Sequence, residues 1–227
     1  MRIRGWIVLL CLAAAPAWSQ VTAGDSDDPQ QLDKQALAFK TQDQFTQAEL
    51  LYKRSLVIWE EAFGPDHIDV ASSLNNLALL YDAQGQCEKA EPLYQRALAI
   101  RVKALGPDHP DVATSMSSLA LLYGTAQAVP LLERALAIYE KARGPDHHEV
   151  ATCLNNLAAL YDSEGKYTQA EPLYKRSLAI SERALGPNHP NVALSLENMA
   201  RLYRKIGRGK EAERLDERAS AIRGLER

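Results

Sequence analysis

Apolar residues between positions 70 and 105 fall into two stripes with helical spacing. The first stripe comprises Leu74, Leu77, Ala78 and Tyr81, and the second comprises Ala90, Tyr94, Ala97, Leu98 and Val102. Residues three or four positions apart lie on the same face of a helix, so each stripe predicts an amphipathic helix. Gly85 stands between the stripes and, because glycine tolerates positive φ, predicts a turn. The segment is therefore expected to form a helical hairpin.

This hairpin pattern recurs along the chain with a short loop motif between copies. Gly-Pro-Asp-His stands at Gly64–His67, Gly106–His109 and Gly144–His147, and Gly-Pro-Asn-His stands at Gly186–His189. A period of about 40 residues indicates one supersecondary unit stacked several times. Five units follow, at about 30–63, 64–105, 106–143, 144–185 and 186–227. Strand-type alternation is absent from the sequence, so the fold class is all-α.

Each loop motif is expected to end one helix and begin the next. A glycine followed by proline is a typical helix stop. The residues after it, such as Asp108 and Asp111, resemble a helix-start box in which a carboxylate accepts hydrogen bonds from early backbone N–H groups. All five histidines lie at these loops, where we expect helix-start packing and hydrogen bonding. A shared metal ion is not expected, because adjacent loops should lie about 10 Å apart.

The second helices carry matched residues at several positions. A small residue recurs as Ala48, Ala90, Ala128, Ala170 and Ala212, and six positions later an arginine recurs as Arg54, Arg96, Arg134, Arg176 and Arg218. The arginines point away from the apolar seam, so we expect solvated pairing with nearby acids. In the last unit Asp216 and Ser220 replace apolar residues, which predicts the polar outer face of an end repeat.

The third unit is four residues shorter than the others. Gly124–Gln127 replaces the eight residues from 82 to 89 of the second unit. Four residues are close to one helical turn, so the helix faces stay nearly in phase while the turn tightens. We expect a local kink or loosened packing here, with a dedicated hinge or binding notch as the alternative.

The N-terminus has the three-part pattern of a secretory signal peptide. Arg2 and Arg4 precede the apolar run Trp6–Ala15, and small residues lead up to position 19. We therefore predict a signal peptide at 1–19, an acidic linker at 20–29 and an exported protein, periplasmic or secreted. An uncleaved membrane anchor is the alternative. Cys87 and Cys153 would then remain, and their different repeat positions predict two buried free thiols rather than a disulfide.

Composition and motifs narrow the possible functions. The 227 residues are 46% hydrophobic, with a formal net charge of −3, which gives no general electrostatic reason to bind nucleic acid. Gly207–Ala212 matches a dinucleotide fingerprint on paper, but it aligns with a turn between two helices instead of following a strand. No catalytic constellation, cofactor motif or metal-ligand spacing is found. We therefore expect neither an enzyme nor a cofactor.

The repeat resembles the tetratricopeptide repeat (TPR), in the 42-residue form of kinesin light chains. The strings LNNLALLYDAQGQ (Leu74–Gln86) and AEPLYQRALAIR (Ala90–Arg101) are similar to that form. The resemblance covers about residues 30–227 and implies a right-handed α-solenoid of five helix-turn-helix repeats. Motor function is not carried over, because the chain has no heptad coiled coil and begins with a secretory signal.

The resemblance also implies that the first helices line a concave, peptide-binding groove. Polar residues recur off their apolar stripes as Asn75 and Asn76, Ser117 and Ser118, Asn155 and Asn156, and Glu197 and Asn198. A carboxamide both donates and accepts, so it can hold a peptide backbone without dictating sequence. Basic residues follow in the last unit, namely Arg201, Arg204, Lys205, Arg208 and Lys210, and favour an acidic segment.

Two functions are consistent with this arrangement. The first is a protein–protein interaction scaffold that holds a peptide or partner helix in the groove. The second is a self-associating or structural component of a larger exported or envelope complex. A groove binder should be monomeric and sensitive to changes at the groove asparagines, whereas a self-assembler should be indifferent to them.

Overall fold

A computed structural model describes residues 28–224, and over this range the backbone forms ten α-helices and no strand. The helices are α1 (Pro29–Thr41), α2 (Phe45–Phe63), α3 (Ile68–Ala83), α4 (Cys87–Leu105), α5 (Pro110–Ala120), α6 (Thr125–Arg143), α7 (His148–Ser163), α8 (Tyr167–Leu185), α9 (Pro190–Lys205) and α10 (Gly209–Gly224). Odd-numbered helices are the first, and even-numbered helices the second, of five repeats. The predicted all-α solenoid is confirmed.

The helices stack in chain order. Each first helix packs on the second helix of its own repeat, and each second helix packs on the first helix of the next. First helices of successive repeats also touch, as α1 and α3 do, and likewise α7 and α9. Among residues 28–224, no helix has the length and hydrophobicity required to cross a bilayer.

The first described helix, α1, begins at the end of the predicted linker. Asp28 caps α1, its side chain accepting a hydrogen bond from the backbone N–H of Gln30 at 3.0 Å, and Pro29 is the first helical residue. The last two residues of the predicted linker thus belong to the first repeat. The predicted signal peptide and the rest of the linker lie outside the described residues.

Small residues let the helices approach closely at matched positions. The recurring alanines of the second helices, Ala48, Ala90, Ala128, Ala170 and Ala212, are all fully buried. Tyr94 and Tyr174, four residues further along, are buried as well and fill the space between helices. This alternation of small and large side chains gives the interdigitated packing that a stacked array requires.

Each loop motif ends the preceding helix as predicted, but it caps the following helix with a different residue. Gly106 ends α4 with φ of 83°, in the region that favours glycine. The next helix is capped by His109, whose Nδ1 accepts from the backbone N–H of Asp111 at 3.1 Å. His67, His147 and His189 cap their helices in the same way. The prediction of carboxylate caps was wrong, because each motif aspartate stands one residue before the cap.

The motif aspartates instead form ion pairs across the surface. Asp66 accepts from Lys103 Nζ at 2.5 Å, and Asp146 accepts from Arg183 at 2.7 Å. Three arginines of the second helices pair with acids of the preceding repeat, at 2.6 Å for Arg96 with Glu60, whereas Arg134 pairs with Asp108 of its own repeat. Solvated pairing of this arginine series is confirmed at Arg96, Arg134, Arg176 and Arg218.

The third repeat lost the last turn of its first helix. The helix α5 has 11 residues, whereas α3, α7 and α9 have 16 each, and α6 keeps the 19 residues of its counterparts. Leu121 follows α5 directly and is 58% exposed. Tyr123 lies beyond the helix end, yet its hydroxyl still donates to Glu91 at 2.8 Å. The deletion therefore tightens the turn and leaves the second helix intact.

The thiols of Cys87 and Cys153 differ in their exposure to solvent. Cys153 is buried as predicted, and burial raises its pKa to about 11. Cys87 is exposed, so the prediction that it is buried was wrong. It is the first residue of α4 and lies at the turn, where a neighbouring repeat does not cover it.

Candidate binding groove

Side-chain contacts between α7 and α9 show which faces of the first helices adjoin each other. Asn198 Nδ2 donates to Asn155 Oδ1 at 3.1 Å, and Lys205 Nζ donates to Asp162 Oδ1 at 2.8 Å. Both contacts join α7 to α9. Residues at the same helical positions in the other first helices lie along the same surface. We call the surface formed by α1, α3, α5, α7 and α9 the inner groove.

The predicted groove amides are less exposed than the sequence suggested. Asn75 and Asn198 are each only 9% exposed, whereas Asn76, Asn155 and Asn156 are half-buried. Ser118 is also half-buried. Asn198 and Asn155 bind each other, so part of the amide series holds the repeats together. Asn76 likewise hydrogen-bonds with Asp33 of α1, so it also joins two repeats. Asn156 occupies the same helical position in α7.

The amide series is interrupted at the third repeat. Asn75 Oδ1 is buried with no hydrogen-bond partner. The residue opposite it, at the position of Asn198 in the last joint, is Ser118, whose side chain is shorter than an asparagine. At the first joint Asp33 occupies the position equivalent to Asn75. Burial raises the pKa of Asp33, and hydrogen bonding with Ser55, Asn76 and Ser73 opposes the rise.

The predicted basic end of the groove is largely neutralised. Asp162 is 3% exposed and lies between Lys205 at 2.8 Å and Arg201 at 3.5 Å. Arg204 pairs with Asp216 of α10. The structure thus brings Arg201 and Lys205 together as predicted, but around an acid that sequence reasoning did not include. The sequence does indicate this contact, because Asp162 stands in the fourth repeat one residue before the position equivalent to Lys205.

A row of leucines, which was not predicted from the sequence, adds apolar surface to the inner groove; we call it the leucine line. Leu37, Leu79 and Leu121 occupy one matched position, and the first and last of them are 53% and 58% exposed. Leu79 lies three residues after Asn76 and therefore on the same helix face. Ala159 and Arg201 take this position in the last two repeats. The leucine line therefore runs over the first three repeats and ends before the fourth.

A cavity of about 150 Å³ opens where the fourth and fifth repeats meet. Its lining includes Thr152, Asn155, Asn156, Ser181 and Leu194. This cavity was not predicted from the sequence. Ser181 indicates it, because it is a small residue at a second-helix position that is occupied by large residues in the preceding repeats.

One cluster of potential metal ligands lies at the start of α7. Ligand atoms of His147, His148 and Glu149 are all within 4.8 Å of one another. His147 Nδ1 already accepts from the Glu149 backbone N–H, and the Glu149 carboxylate pairs with Arg143 at 2.9 Å. These contacts assign His147 and Glu149 to the helix start rather than to an ion.

Comparison with known proteins identifies the repeat. The tetratricopeptide repeat profile matches residues 30–101, 83–127, 125–182 and 163–224. The chain belongs to the tetratricopeptide repeat family. Its structural relatives place it with the kinesin light chain-like type.

Two solved structures are more than 25% identical in sequence to this TPR protein over most of its length. BtubC (BKLC) from P. vanneervenii is 27% identical with a TM-score of 0.73, over 86% of this chain and 80% of that one. A kinesin light chain-type protein of Podosopora anserina with nearly identical TPR-like repeats is 27% identical with a TM-score of 0.69, over 88% and 97%. No curated protein gives a significant match.

A more distant structure shares the fold alone. A Rap protein complexed with competence and sporulation factor is 20% identical, with a TM-score of 0.72 over 86% of this chain and 54% of that one. The likeness is one of fold, and it spans about half of that longer chain.

Proposed function

We propose that this TPR protein is an exported, non-enzymatic scaffold that holds an extended segment of a partner protein in the inner groove. The observation that carries the proposal is the uncharged middle of the groove. Over the second to fourth repeats, amides and hydroxyls recur at one matched position, as Asn76, Ser118 and Asn156, and uncharged residues recur three positions later as Leu79, Leu121 and Ala159. A peptide backbone offers alternating donors and acceptors, which such side chains can bind in any sequence context.

Charge pairing supports a neutral segment over an acidic one. The carboxylate of Asp162 balances part of the charge of Arg201 and Lys205, and Asp82 attracts Lys40 at the other end. The leucine line adds apolar contacts that a charged segment would not use. We therefore expect partner segments that combine a free backbone with uncharged side chains.

Export rests on the N-terminal sequence pattern. A positively charged start, an apolar run and small residues before position 20 direct a chain for secretion. Fractionation of cells that express the full chain tests this, with the protein expected outside the cytosol. Recovery of the full chain only in the cytosol would overturn the export proposal and leave the groove proposal standing.

A second function, self-association, is favoured by one surface of the first repeat. A cavity of about 500 Å³ there is lined mainly by apolar groups of Ala38, Phe39, Leu50 and Leu51. A second copy could cover it, in which case mass in sedimentation should rise with concentration. Sedimentation as a monomer at all concentrations would exclude this function.

Peptides selected from a random phage-displayed library on the intact chain test the groove. Their affinity is then measured by fluorescence anisotropy with the wild-type protein and with Asn76→Ala combined with Asn156→Ala. We expect a loss of about tenfold or more, because each removed amide takes hydrogen bonds worth about 1 kcal/mol. The control is Asn188→Ala, which removes an exposed amide from an outer loop.

The groove proposal is rejected if the selected peptides bind the double variant as tightly as the wild type. It is also rejected if the control weakens binding equally, since the amides of the groove would then have no special role. Circular dichroism checks that each variant keeps its helices, because Asn76 also hydrogen-bonds with Asp33 of the first repeat.

A further inference from the structure

The cavity between the fourth and fifth repeats has a buried polar floor and an open mouth. Ser177, Ser181 and Ser195 form the floor and are 1%, 4% and 5% exposed. Thr152 and Leu194 are exposed at the mouth, on the inner groove. The cavity therefore connects the groove to the interior of one repeat joint.

The cavity exists because a matched position lost its large side chain. Counting eleven residues from the buried alanines of the first four second helices gives Trp59, Arg101, Tyr139 and Ser181. The first three fill their joints. Trp59 packs against the core around Val70, and Arg101 donates to Ser115 Oγ at 2.7 Å. At the fourth joint Ser181 leaves the equivalent space open.

Tyr139 shows what kind of group this space accepts. Its ring is only 4% exposed, and its hydroxyl lies 2.8 Å from Thr114 Oγ1. Thr114 corresponds to Thr152 at the cavity mouth, one repeat later. The cavity thus has the surroundings in which the chain itself buries a phenol ring one joint earlier.

Three hydroxyls of the lining donate to backbone carbonyls, whereas its asparagine amides still offer N–H donors. Ser177 Oγ donates to Ala151 O at 2.7 Å, Ser195 Oγ donates to Asn191 O at 3.0 Å, and Thr152 Oγ1 donates to His148 O at 3.2 Å. Each of these oxygens keeps lone pairs that can accept a further bond. A phenol O–H both donates and accepts, so it can bind these oxygens and the amide groups of the lining alike, whereas a carboxylate only accepts.

We propose that this cavity binds the phenol side chain of a tyrosine in the partner segment, which anchors the segment to the fourth and fifth repeats. The ring occupies the volume left by Ser181, and its hydroxyl donates to an oxygen of the lining. Cavities of about 150 Å³ hold a benzene ring. The assignment of a partner tyrosine rests on the proposed groove function, whereas binding of a phenol does not.

The phenol probe is p-cresol, titrated into the intact protein and followed by NMR. We expect binding with a Kd on the order of 1 mM, as for a fragment with few heavy atoms. Ser181→Tyr should abolish it, because the chain's own ring then fills the cavity. Ser220→Tyr, which adds a tyrosine on the exposed face of α10, should leave it unchanged. Toluene, which lacks the donor, should bind at least about fivefold more weakly.

A second variant keeps the test decisive if Ser181→Tyr does not fold. Tyr139→Ser should open an equivalent cavity at the preceding joint and create a second p-cresol site. The thermal midpoint of Tyr139→Ser should then rise more with p-cresol than that of the wild type, since binding stabilises the folded state. The same rise in both proteins overturns the proposal, as does p-cresol binding that survives Ser181→Tyr.

The two proposals fail in different ways. Binding of p-cresol that Ser181→Tyr blocks, without any groove-dependent peptide, overturns the groove function and keeps the phenol site. Selected peptides that depend on Asn76 and Asn156, yet lack tyrosine and ignore Ser181→Tyr, keep the groove and overturn the tyrosine anchor.

Discussion

The outer joints of the array and the two joints of the third repeat are held together differently. At the first joint Glu60 pairs with Arg96 at 2.6 Å, and Tyr81 donates to Glu49 at 2.8 Å. The last joint repeats this scheme with Glu182 and Arg218, and with Glu171 and Tyr203. Asn155 also binds Asn198 there, as Asp33 binds Asn76 at the first joint. Both outer joints thus combine polar contacts on several faces.

The third repeat lacks some of these contacts on each side. Val102 stands where Glu60 and Glu182 stand, so Arg134 pairs instead with Asp108 of its own repeat. Val129 stands where Glu49 and Glu171 stand, which leaves Tyr161 without the equivalent carboxylate. Asn75 Oδ1 has no partner. In each case one partner of the contact is replaced, as by Val102, Val129 or Ser118, and the other partner is still present.

The apolar core does not follow this difference. One buried cluster includes Ala113 of α5, Leu132 of α6, Leu154 of α7 and Ile180 of α8. It therefore runs without a break from the third repeat into the fourth. The comparison teaches that burial holds the stack together, whereas polar contacts add to particular joints. Burial is also the larger stabilising effect in folded proteins generally.

Removal of a buried acid should give the largest contrast between joints. Asp162→Ala is expected to lower the free energy of unfolding by about 2 kcal/mol, because Lys205 and Arg201 lose their shared partner. The matched control is Asp82→Ala, which should cost about 0.5 kcal/mol or less, since shortened α5 offers no counterpart of Lys205. Urea unfolding measures both. Equal costs would show that the joints do not differ in this contact.

A substitution that supplies the missing amide should strengthen the weaker joint. Ser118→Asn is expected to raise the free energy of unfolding by about 1 kcal/mol, because a donor then reaches the unpaired Oδ1 of Asn75. Ser118→Ala serves as the control and should bring no such gain. If both variants unfold at the same urea concentration as the wild type, the interruption at Asn75 has no energetic consequence.

Alkaline pH should affect the outer and central repeats equally. Burial raises the pKa of Tyr52 in the first repeat and of Tyr139 in the third to about 12. The unfolded chain ionises these phenols from about pH 10, so stability is full below that pH and falls as pH rises to 12, by about 1.4 kcal/mol per unit for each. Tyr52→Phe and Tyr139→Phe should remove equal shares of this fall. Unequal shares in alkaline urea titrations would mean that the core is not equally tight.

Much of this architecture could be predicted from periodicity. The helical stripes predict the ten described helices, and the four missing residues predict a tightened turn in the third repeat. The helix caps could not be assigned in the same way, because His109 and Asp108 are adjacent and both can accept a backbone hydrogen bond. Only the backbone geometry shows that the imidazole is in position.

The groove was harder to predict than the fold. Asn155 and Asn198 are 43 positions apart, and their mutual bond depends on how two helices are offset. From the sequence Asp162 is indistinguishable from an exposed surface acid, and only the stacking of the repeats buries it. The cavity at Ser181 could have been found by aligning the second helices, since a single small residue departs from Trp59, Arg101 and Tyr139.

The contacts of the last joint have a consequence for the length of the array. The fourth repeat carries Glu182 and Asn155 on the side that faces the fifth, and it carries Arg176 and Asn156 on the opposite side. A duplicate of this repeat, inserted after the original, would meet a matching partner at both new boundaries. The solenoid can thus be extended by copying one segment, and each copy would bring its own Ser181 and with it another cavity.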